Sequence, residues 1–394
     1  MKIALIADSF PPLRTSAAAQ IFSLSREFIR NGHELIVIIP SFEIRKAWEI
    51  IEIDGVRVLY LQSPKIKDIS YVFRTINEFL MPYFMIKNFK KSPFLYQKYQ
   101  GIIWYSPSIF FGPFVNSLKK ASNCKSYLIV RDIFPEWALD LGLMRRGLVY
   151  SFFSIIARKQ YSVANIIGVQ AYGNFSYFSK WANKADRQLE VLNNWLDRPK
   201  KIRGSINLSQ TKLRGRKIFI YAGNMGVAQG MDCLIHLAET YKSRLDIGFL
   251  FVGRGSEMQR LKTYSNSREI DNILFFSEIN PNEMSDLYSQ CSIGLVALDV
   301  RHKSHNIPGK FISYMQNGLP VLANINHGNN LAEIIRKEKV GQVCESNQLI
   351  DLVACADILL KRISPQLSLR CLKLFERDFS VERAVRQIEA SILN

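Results

Sequence analysis

Apolar residues in this chain gather in short continuous runs separated by helical spacing and turn residues. The first run is Lys2-Ile-Ala-Leu-Ile-Ala-Asp8, after which Ser9-Phe-Pro-Pro12 forces a loop. Ile21, Leu24, Phe28 and Ile29 then recur on one helical face, Asn31-Gly32 ends that pattern, and Glu34-Leu-Ile-Val-Ile-Ile39 follows. Strand, loop, helix, glycine stop and strand make a βαβ unit, and continuous runs mark strands buried on both faces of a parallel sheet. The same reading predicts strands at 56–61, 101–105, 126–130 and 166–169. Between residues 197 and 217 the periodicity lapses; eight Lys/Arg accompany Pro199, Gly204 and Gly215, which predicts an exposed linker. A second series then opens, with strands at 218–222, 247–252, 273–276, 293–297 and 321–323 and a helix over 232–241. The C-terminal stretch is helical, broken near Pro365 or Asp378-Phe379.

The pattern predicts an α/β fold of two Rossmann-like, doubly wound domains facing across a cleft. The boundaries are 1–197 for the first domain, 198–216 for the linker, 217–378 for the second domain and 379–394 for a closing helix. A length of 394 residues with 48% hydrophobic and 22% charged positions is enough for two cores and excludes a disordered chain. Six scattered cysteines with no C-x-x-C pair argue for reduced thiols in the cytoplasm, against a disulfide scaffold or zinc site. The N-terminal run is too short for a secretion signal, and no stretch approaches the roughly 18–20 apolar residues of a spanning helix. The expected location is cytoplasmic, with any membrane contact peripheral. The net charge of +18 attracts polyanions: nucleic acid, anionic lipid or phosphorylated small molecules.

Four segments at predicted strand ends carry candidate chemistry. In Pro308-Gly309-Lys310-Phe-Ile-Ser313-Tyr314-Met-Gln-Asn-Gly318, a short helix opens just behind a lysine. Its free N–H groups, its dipole and the Lys310 charge suit a diphosphate; spacing alone favours an ordinary αβ turn with a surface lysine. Gly223-Asn224-Met-Gly226 lets backbone approach a ligand or makes a plain tight turn, and its spacing fails the dinucleotide fingerprint. Val252-Gly253-Arg254-Gly255 opens a strand into a glycine-flanked arginine, which reads as a ligand contact or a solvated turn. Arg131-Asp132-Ile-Phe-Pro135-Glu136 sets a basic–acidic pair where a carboxylate orients hydroxyls or acts as acid or base, or where the two form a structural pair.

Taken together, these segments with Ala7-Asp8-Ser9-Phe-Pro-Pro12 and Asn31-Gly32-His33-Glu34 resemble bacterial family-4 retaining glycosyltransferases of the GT-B fold. The likeness is to the branch that builds O-antigen, colanic acid and capsule repeats, and it spans residues 3 to about 345. It implies transfer of a sugar from a nucleotide-sugar, a UDP-sugar by preference, to a lipid-linked or oligosaccharide acceptor, with retention and without a metal or other cofactor. It further implies that the closing helix crosses back to the first domain. By resemblance, Lys310 and Gly309 hold the diphosphate beside Gly223, Asn224 and Gly226. Arg254 and Glu278 flank the nucleoside, with His305, Ser313 and Tyr314 also on the donor side. Asp132 lies near the transferred sugar or acceptor, with Ser16, Arg131 and Glu136 around it. The chain departs from the family's pattern at several places. Two glutamates eight positions apart are replaced by His305 and Ser313, an Arg/Lys pair by Asn224 and Gln229, and a Gly-Gly by Ser16-Ala17.

Residues 65–98 hold seven Lys/Arg against two acids, interleaved with Phe73, Phe79, Met81, Tyr83, Phe84, Phe89 and Phe94. Such a stretch suits a peripheral dock on anionic lipid, or core aromatics below a solvated basic face. Residues 143–161, with Arg145, Arg146, Phe152 and Phe153, would extend it. The resemblance favours a polyprenyl-diphosphate-linked acceptor at the inner membrane face and no nucleic acid. Rival readings are a GT-B epimerase or phosphorylase, whose acid pair or cofactor lysine is not evident, and a basic nucleic-acid-binding protein, for which no recognition motif appears.

Overall fold

The computed structural model describes residues 1–13, 15–140, 142–199, 202–226, 229–298, 307–327 and 329–393, which form two units, Met1–Asn193 with Val381–Asn394, and Asn194–Ser380. In the first unit the apolar runs become β1 (Lys2–Ile6), β2 (Glu34–Ser41), β4 (Val56–Gln62), β5 (Gly101–Ser106), β6 (Lys125–Val130) and β7 (Ile166–Val169), joined by β3 (Trp48–Ile53) and β8 (Gln188–Val191). Their order is β3-β4-β2-β1-β5-β6-β7-β8, parallel except for β3. The helices are α1 (Ser16–Arg30), α2 (Tyr71–Phe89), α3 (Gly112–Ser122), α4 (Glu136–Asp140), α5 (Leu148–Val163) and α6 (Ser179–Ala182). The chain moves outward in one direction from β1 and returns in the other from β5, so the winding reverses between them. Ligands of doubly wound sheets collect at that reversal, beyond the C-terminal strand ends.

The second unit repeats the design with β9 (Lys217–Asn224), α7 (Asp232–Thr240), β10 (Ile247–Arg254), α8 (Met258–Ser267), β11 (Ile273–Phe276), α9 (Met284–Ser289) and β12 (Ile293–Ala297). It continues through α10 (Gly309–Gln316), β13 (Val321–Asn324), α11 (Asn330–Glu338), β14 (Gly341–Cys344), α12 (Leu349–Arg362) and α13 (Pro365–Leu374). The order β11-β10-β9-β12-β13-β14 is wholly parallel and reverses at β9. Strands β11 and β12 have the predicted bounds, whereas β3, β8 and β14 lie outside every predicted run. The expected linker also differs from the structure. Ile206, Leu208 and Leu213 are buried against the second unit's core, so the apolar residues between the charges anchor this stretch.

The last helix, α14 (Val381–Leu393), belongs to the first unit and packs on α1 and β6. Val381, Val385, Ile388 and Ile392 form its buried stripe. Its polar face meets Glu190 on β8, whose carboxylate accepts from Gln387 Nε2 at 2.9 Å and Ser391 Oγ at 2.8 Å. Tyr127 Oη, at 2.6 Å, and Gln188 Nε2, at 2.8 Å, donate to the same carboxylate. A half-buried charge is thereby satisfied by four donors, and burial with the adjacent Glu190 charge holds the Tyr127 hydroxyl well above its usual range. Truncating Ile388 to Ala should cost about 2–5 kcal/mol of stability. Urea unfolding measures this, and a loss below about 1 kcal/mol would mean that α14 is a frayed tail.

Candidate functional site

The densest convergence of the anticipated donor-side residues lies at the C-terminal ends of β9 and β10. Gly223 and Asn224 pair in register with Gly253 and Arg254. The two strand ends approach so closely that a Cβ on Gly253, at φ 148°, would stand 2.0 Å from the Gly223 carbonyl oxygen. Only glycine fits there. Beyond it the turn is closed by Gln229, whose side-chain oxygen accepts from Gly226 N at 3.0 Å and from Asn224 Nδ2 at 3.1 Å. Asn224 and Gln229 thus hold each other and shape the loop.

Helix α10 supplies the charge. Pro308 precedes it in extended conformation and gives no side-chain cap, so the first amides of the helix are left without a cap from the residue that precedes them. Lys310 folds back from this opening toward Gly223, where a Cβ would lie 3.9 Å from its Cε. Its ammonium donates to Tyr221 Oη at 2.5 Å and sits 3.9 Å from the centre of the Tyr221 ring. Tyr221 in turn donates to Asn224 O at 2.6 Å. Desolvation lowers the Lys310 pKa to about 7, and no carboxylate among the described residues acts against it. Its partners among the described residues are the hydroxyl and the ring of Tyr221. Tyr221, which touches the candidate lysine, is a residue that motif reading passed over. Its signal was a hydroxyl-bearing residue two positions before the glycine, at the end of an otherwise apolar strand.

The orientation of α10 depends on Tyr314, which corrects its assignment as a substrate contact. Tyr314 is wholly buried; its hydroxyl accepts from Ala222 N at 3.2 Å and lies 3.1 Å and 3.2 Å from the carbonyl oxygens of Ile220 and Leu295. It joins α10 to β9 and β12, and Gly294 makes room for it, since a Cβ there would stand 2.4 Å from its ring. Ser313 Oγ donates to Gly309 O at 3.2 Å and keeps its lone pairs. Arg254 pairs with Glu278 at 3.3 Å on the surface. His305 lies outside the described residues.

In the first unit, Arg131 leaves β6 and spans to the winding reversal. Its guanidinium donates to Ser16 Oγ at 2.8 Å and to Tyr105 Oη at 3.2 Å, while Tyr105 donates to Gln20 Oε1 at 2.7 Å. Burial raises the Tyr105 hydroxyl to about 12, with Asp132 and Asp8 adding to the rise against Arg131. Asp132 is itself raised by burial, against Arg131, and Glu136 is raised by burial while accepting from Tyr150 Oη at 3.4 Å. Ser16, Arg131 and Asp132 thus gather with Asp8, Gln20 and Tyr105, which the sequence reading did not assign to the site. Glu136 stands one turn further on.

The basic–aromatic stretch divides along its length. The N-terminal part of α2 exposes Tyr71 by 87% along with Val72, Phe73, Ile76 and Phe79, whereas Met81, Met85 and Phe89 are buried. Leu148, 90% exposed, and Val149, Phe152 and Ile155 of α5 extend this apolar surface, with Phe79 and Phe152 ring centres 6.3 Å apart. Exposed arginines 74, 145 and 146 accompany it. Lys87, Lys90 and Lys91 sit at the other end of α2, more than ~20 Å along a helix rising 1.5 Å per residue. Among the described residues, no helix is long and apolar enough to cross a membrane.

Residues 206–366 match the family described as glycosyl transferases group 1. A Pseudomonas aeruginosa protein named as a glycosyltransferase, WbjE, is 23% identical over 247 residues, 61% of each chain, so the match spans about three fifths of that relative. A protein of Escherichia coli (strain K12) named as a colanic acid biosynthesis glycosyl transferase, WcaI, is 23% identical over 382 residues, 88% of this chain and 86% of the relative. The structure of Anabaena Alr3699/HepE in complex with UDP superposes with a TM-score of 0.67 at 13% identity, covering 100% of both chains. The fold is that of the GT-B glycosyltransferases, and the second unit carries the matched glycosyltransferase domain.

The sign of the Lys310 shift gives a stability test. A folded-state pKa near 7, below the ordinary lysine value of 10.5, means that the charged form is disfavoured by folding. That penalty is complete below pH 7 and fades as pH rises from about 7 toward 10.5. Lys310→Met should therefore raise the melting temperature at pH 6.5, and by less at pH 9.5. Equal or lower Tm for the variant at pH 6.5 would contradict a desolvated, unpaired lysine.

Proposed function

We propose that the chain is a glycosyltransferase that takes a sugar from a nucleotide-sugar, preferentially a UDP-sugar, and gives it with retention to a lipid-diphosphate-linked or oligosaccharide acceptor in surface polysaccharide assembly. The observation that carries this reading is Lys310, an ammonium drawn largely out of water with no counter-charge among the described residues, beside a helix opening that Pro308 does not cap and a glycine strand end. A donor diphosphate supplies the missing anion. The glycosyltransferase group 1 match and the names of WbjE and WcaI support the reaction class and its setting; the UDP in HepE supports the nucleotide.

In this reading negative charge grows on the diphosphate as the sugar bond breaks. A fixed ammonium then stabilises the transition state more than the bound donor. Tyr221 keeps the ammonium aimed at Gly223. Ser313 offers its oxygen to a ribose hydroxyl, Arg254 and Glu278 flank the nucleoside, and Asp132 orients the acceptor or transferred sugar. The cation and helix opening fill the role that a metal has elsewhere, so the reaction should proceed in EDTA. Lys310→Ala should lower kcat by on the order of a hundredfold, with partial recovery in Lys310→Arg, whose planar group cannot place its charge identically. Calorimetric titration with UDP tests the binding role directly. Affinity should weaken above pH 7 as the free lysine loses its proton, and Lys310→Ala should abolish that slope. A fully active Lys310→Ala enzyme, or no binding of any nucleoside diphosphate, would defeat the assignment.

The acceptor is held at the inner membrane face, where the exposed rings of α2 and α5 enter the interface and Arg74, Arg145 and Arg146 meet anionic headgroups. Each such charge contributes about 1 kcal/mol near the surface. Glutamate at those three positions should release the protein from vesicles containing phosphatidylglycerol, whereas glutamate at Lys87, Lys90 and Lys91 should do so far less. Vesicle flotation decides between them. Equal release by both sets would reject α2's N-terminal part as the dock, and retention on RNA with no vesicle binding would favour nucleic acid as the polyanion.

A further inference from the structure

Strands β6 and β7 are parallel hydrogen-bonded neighbours, so the segments that follow them leave the first sheet side by side at its C-terminal edge. One segment is α4. The other is the 3-10 turn Tyr172–Phe178. Both present large aromatic side chains to solvent: Trp137 is 41%, Tyr177 49% and Tyr172 75% exposed. These rings are interleaved with carboxylates. Trp137 and Asp140 stand three residues apart, on one face of α4. The Tyr177 hydroxyl faces Asp140, with Glu136 also close enough to act on it.

Exposed rings beside carboxylates match a pyranose better than any other ligand in reach of this edge. The C–H face of a sugar ring is apolar and lies flat on an aromatic face, while its rim of hydroxyls donates to carboxylate oxygens. A lipid headgroup is disfavoured, because Glu136 and Asp140 would repel its phosphate. A chain of packed rings, passing through the buried Phe153, nevertheless links this edge to the apolar patch of α2 and α5. Ring centres step from Trp137 to Phe134 at 6.0 Å, to Phe153 at 5.0 Å, to Phe152 at 5.2 Å and to Phe79 at 6.3 Å. A lipid-linked saccharide would thus find an apolar region for its lipid and, at the other end of the same aromatic chain, a region suited to sugar.

We infer that Trp137, Asp140, Tyr172 and Tyr177 form a binding surface for a hexopyranose unit of the acceptor saccharide. The inference rests on the glycosyltransferase reading for the identity of that saccharide, but not for the chemistry of the surface. Saturation-transfer NMR on the full chain tests it, with the methyl glycosides of glucose, galactose, mannose and N-acetylglucosamine as probes, and UDP thermal shift measured in parallel. At least one glycoside should bind with Kd on the order of 1–10 mM, as expected for a single weakly held sugar. Tyr172→Ala and Trp137→Ala should each weaken it at least tenfold, and Tyr177→Phe about threefold. The UDP shift should stay unchanged in all three variants. Tyr172 is so exposed that its truncation leaves the fold intact, which guards against misfolding as the explanation. Absence of binding by every glycoside, or wild-type binding in Tyr172→Ala and Trp137→Ala, would overturn the surface. So would loss of vesicle binding in these variants with glycoside binding retained. Glycoside binding without any UDP shift would support the surface and reject the proposed donor instead.

Discussion

An ammonium group held largely away from water, with no counter-charge among the described residues, is the constraint around which the second unit is organised. Left to itself, Lys310 would swing into solvent and regain its ordinary pKa. It is kept in place because α10 is fixed at its buried side by Tyr314, whose hydroxyl is shared among backbone groups of β9 and β12. The missing side chain of Gly294 admits that ring, and the missing side chain of Gly253 lets the ends of β9 and β10 close together beside the lysine. Tyr221 then gives the ammonium a neutral oxygen and a ring face, a weaker host than a carboxylate. A carboxylate at this position would lock the lysine and repel a diphosphate. The neutral host leaves the charge available, at the cost of stability in the empty protein.

How much of this was legible in the sequence varied with what the residues encode. Buried parallel strands write themselves as continuous apolar runs, and β11 and β12 fall at the predicted bounds for that reason. The three missed strands sit at sheet edges, where a partner on one side alone imposes a weaker pattern: β3 has exposed Glu49 and Glu52, β8 is Gln188-Leu-Glu-Val191, and β14 is Gly341-Gln-Val-Cys344. The stretch between the two series misled for a related reason. Its charges dominate the composition, yet Ile206, Leu208 and Leu213 alone are enough to fasten it to the core.

Side-chain direction was harder to read than backbone pattern. Ser313 and Tyr314 are neighbours on one short helix, but successive helical residues point about 100° apart. One therefore faces outward while the other enters the core. Resemblance assigned both to the ligand, and only packing separates them. The pairing of Asn224 with Gln229 shows the same limit. The resemblance set Asn224 and Gln229 against a charged pair, whereas in the fold they bond to each other and to the Gly226 amide.

The net charge of +18 also means different things in different places. At Lys310 a single half-buried cation draws its character from desolvation. Around α2 and α5 the arginines are solvated, and each contributes little unless a charged surface meets several together. The apolar rings beside them tip the balance toward a lipid interface, because nucleic acid offers no hydrocarbon to cover Val72, Ile76, Leu148 and Ile155. Stacking on bases needs flat aromatic faces, whereas half of this patch is aliphatic. In the proposed reading, carboxylates in place of arginines at α4 and the turn after β7 change the natural partner of an exposed ring from lipid to sugar. In that reading the sign of the neighbouring charge, more than the rings themselves, assigns different ligands to the two regions.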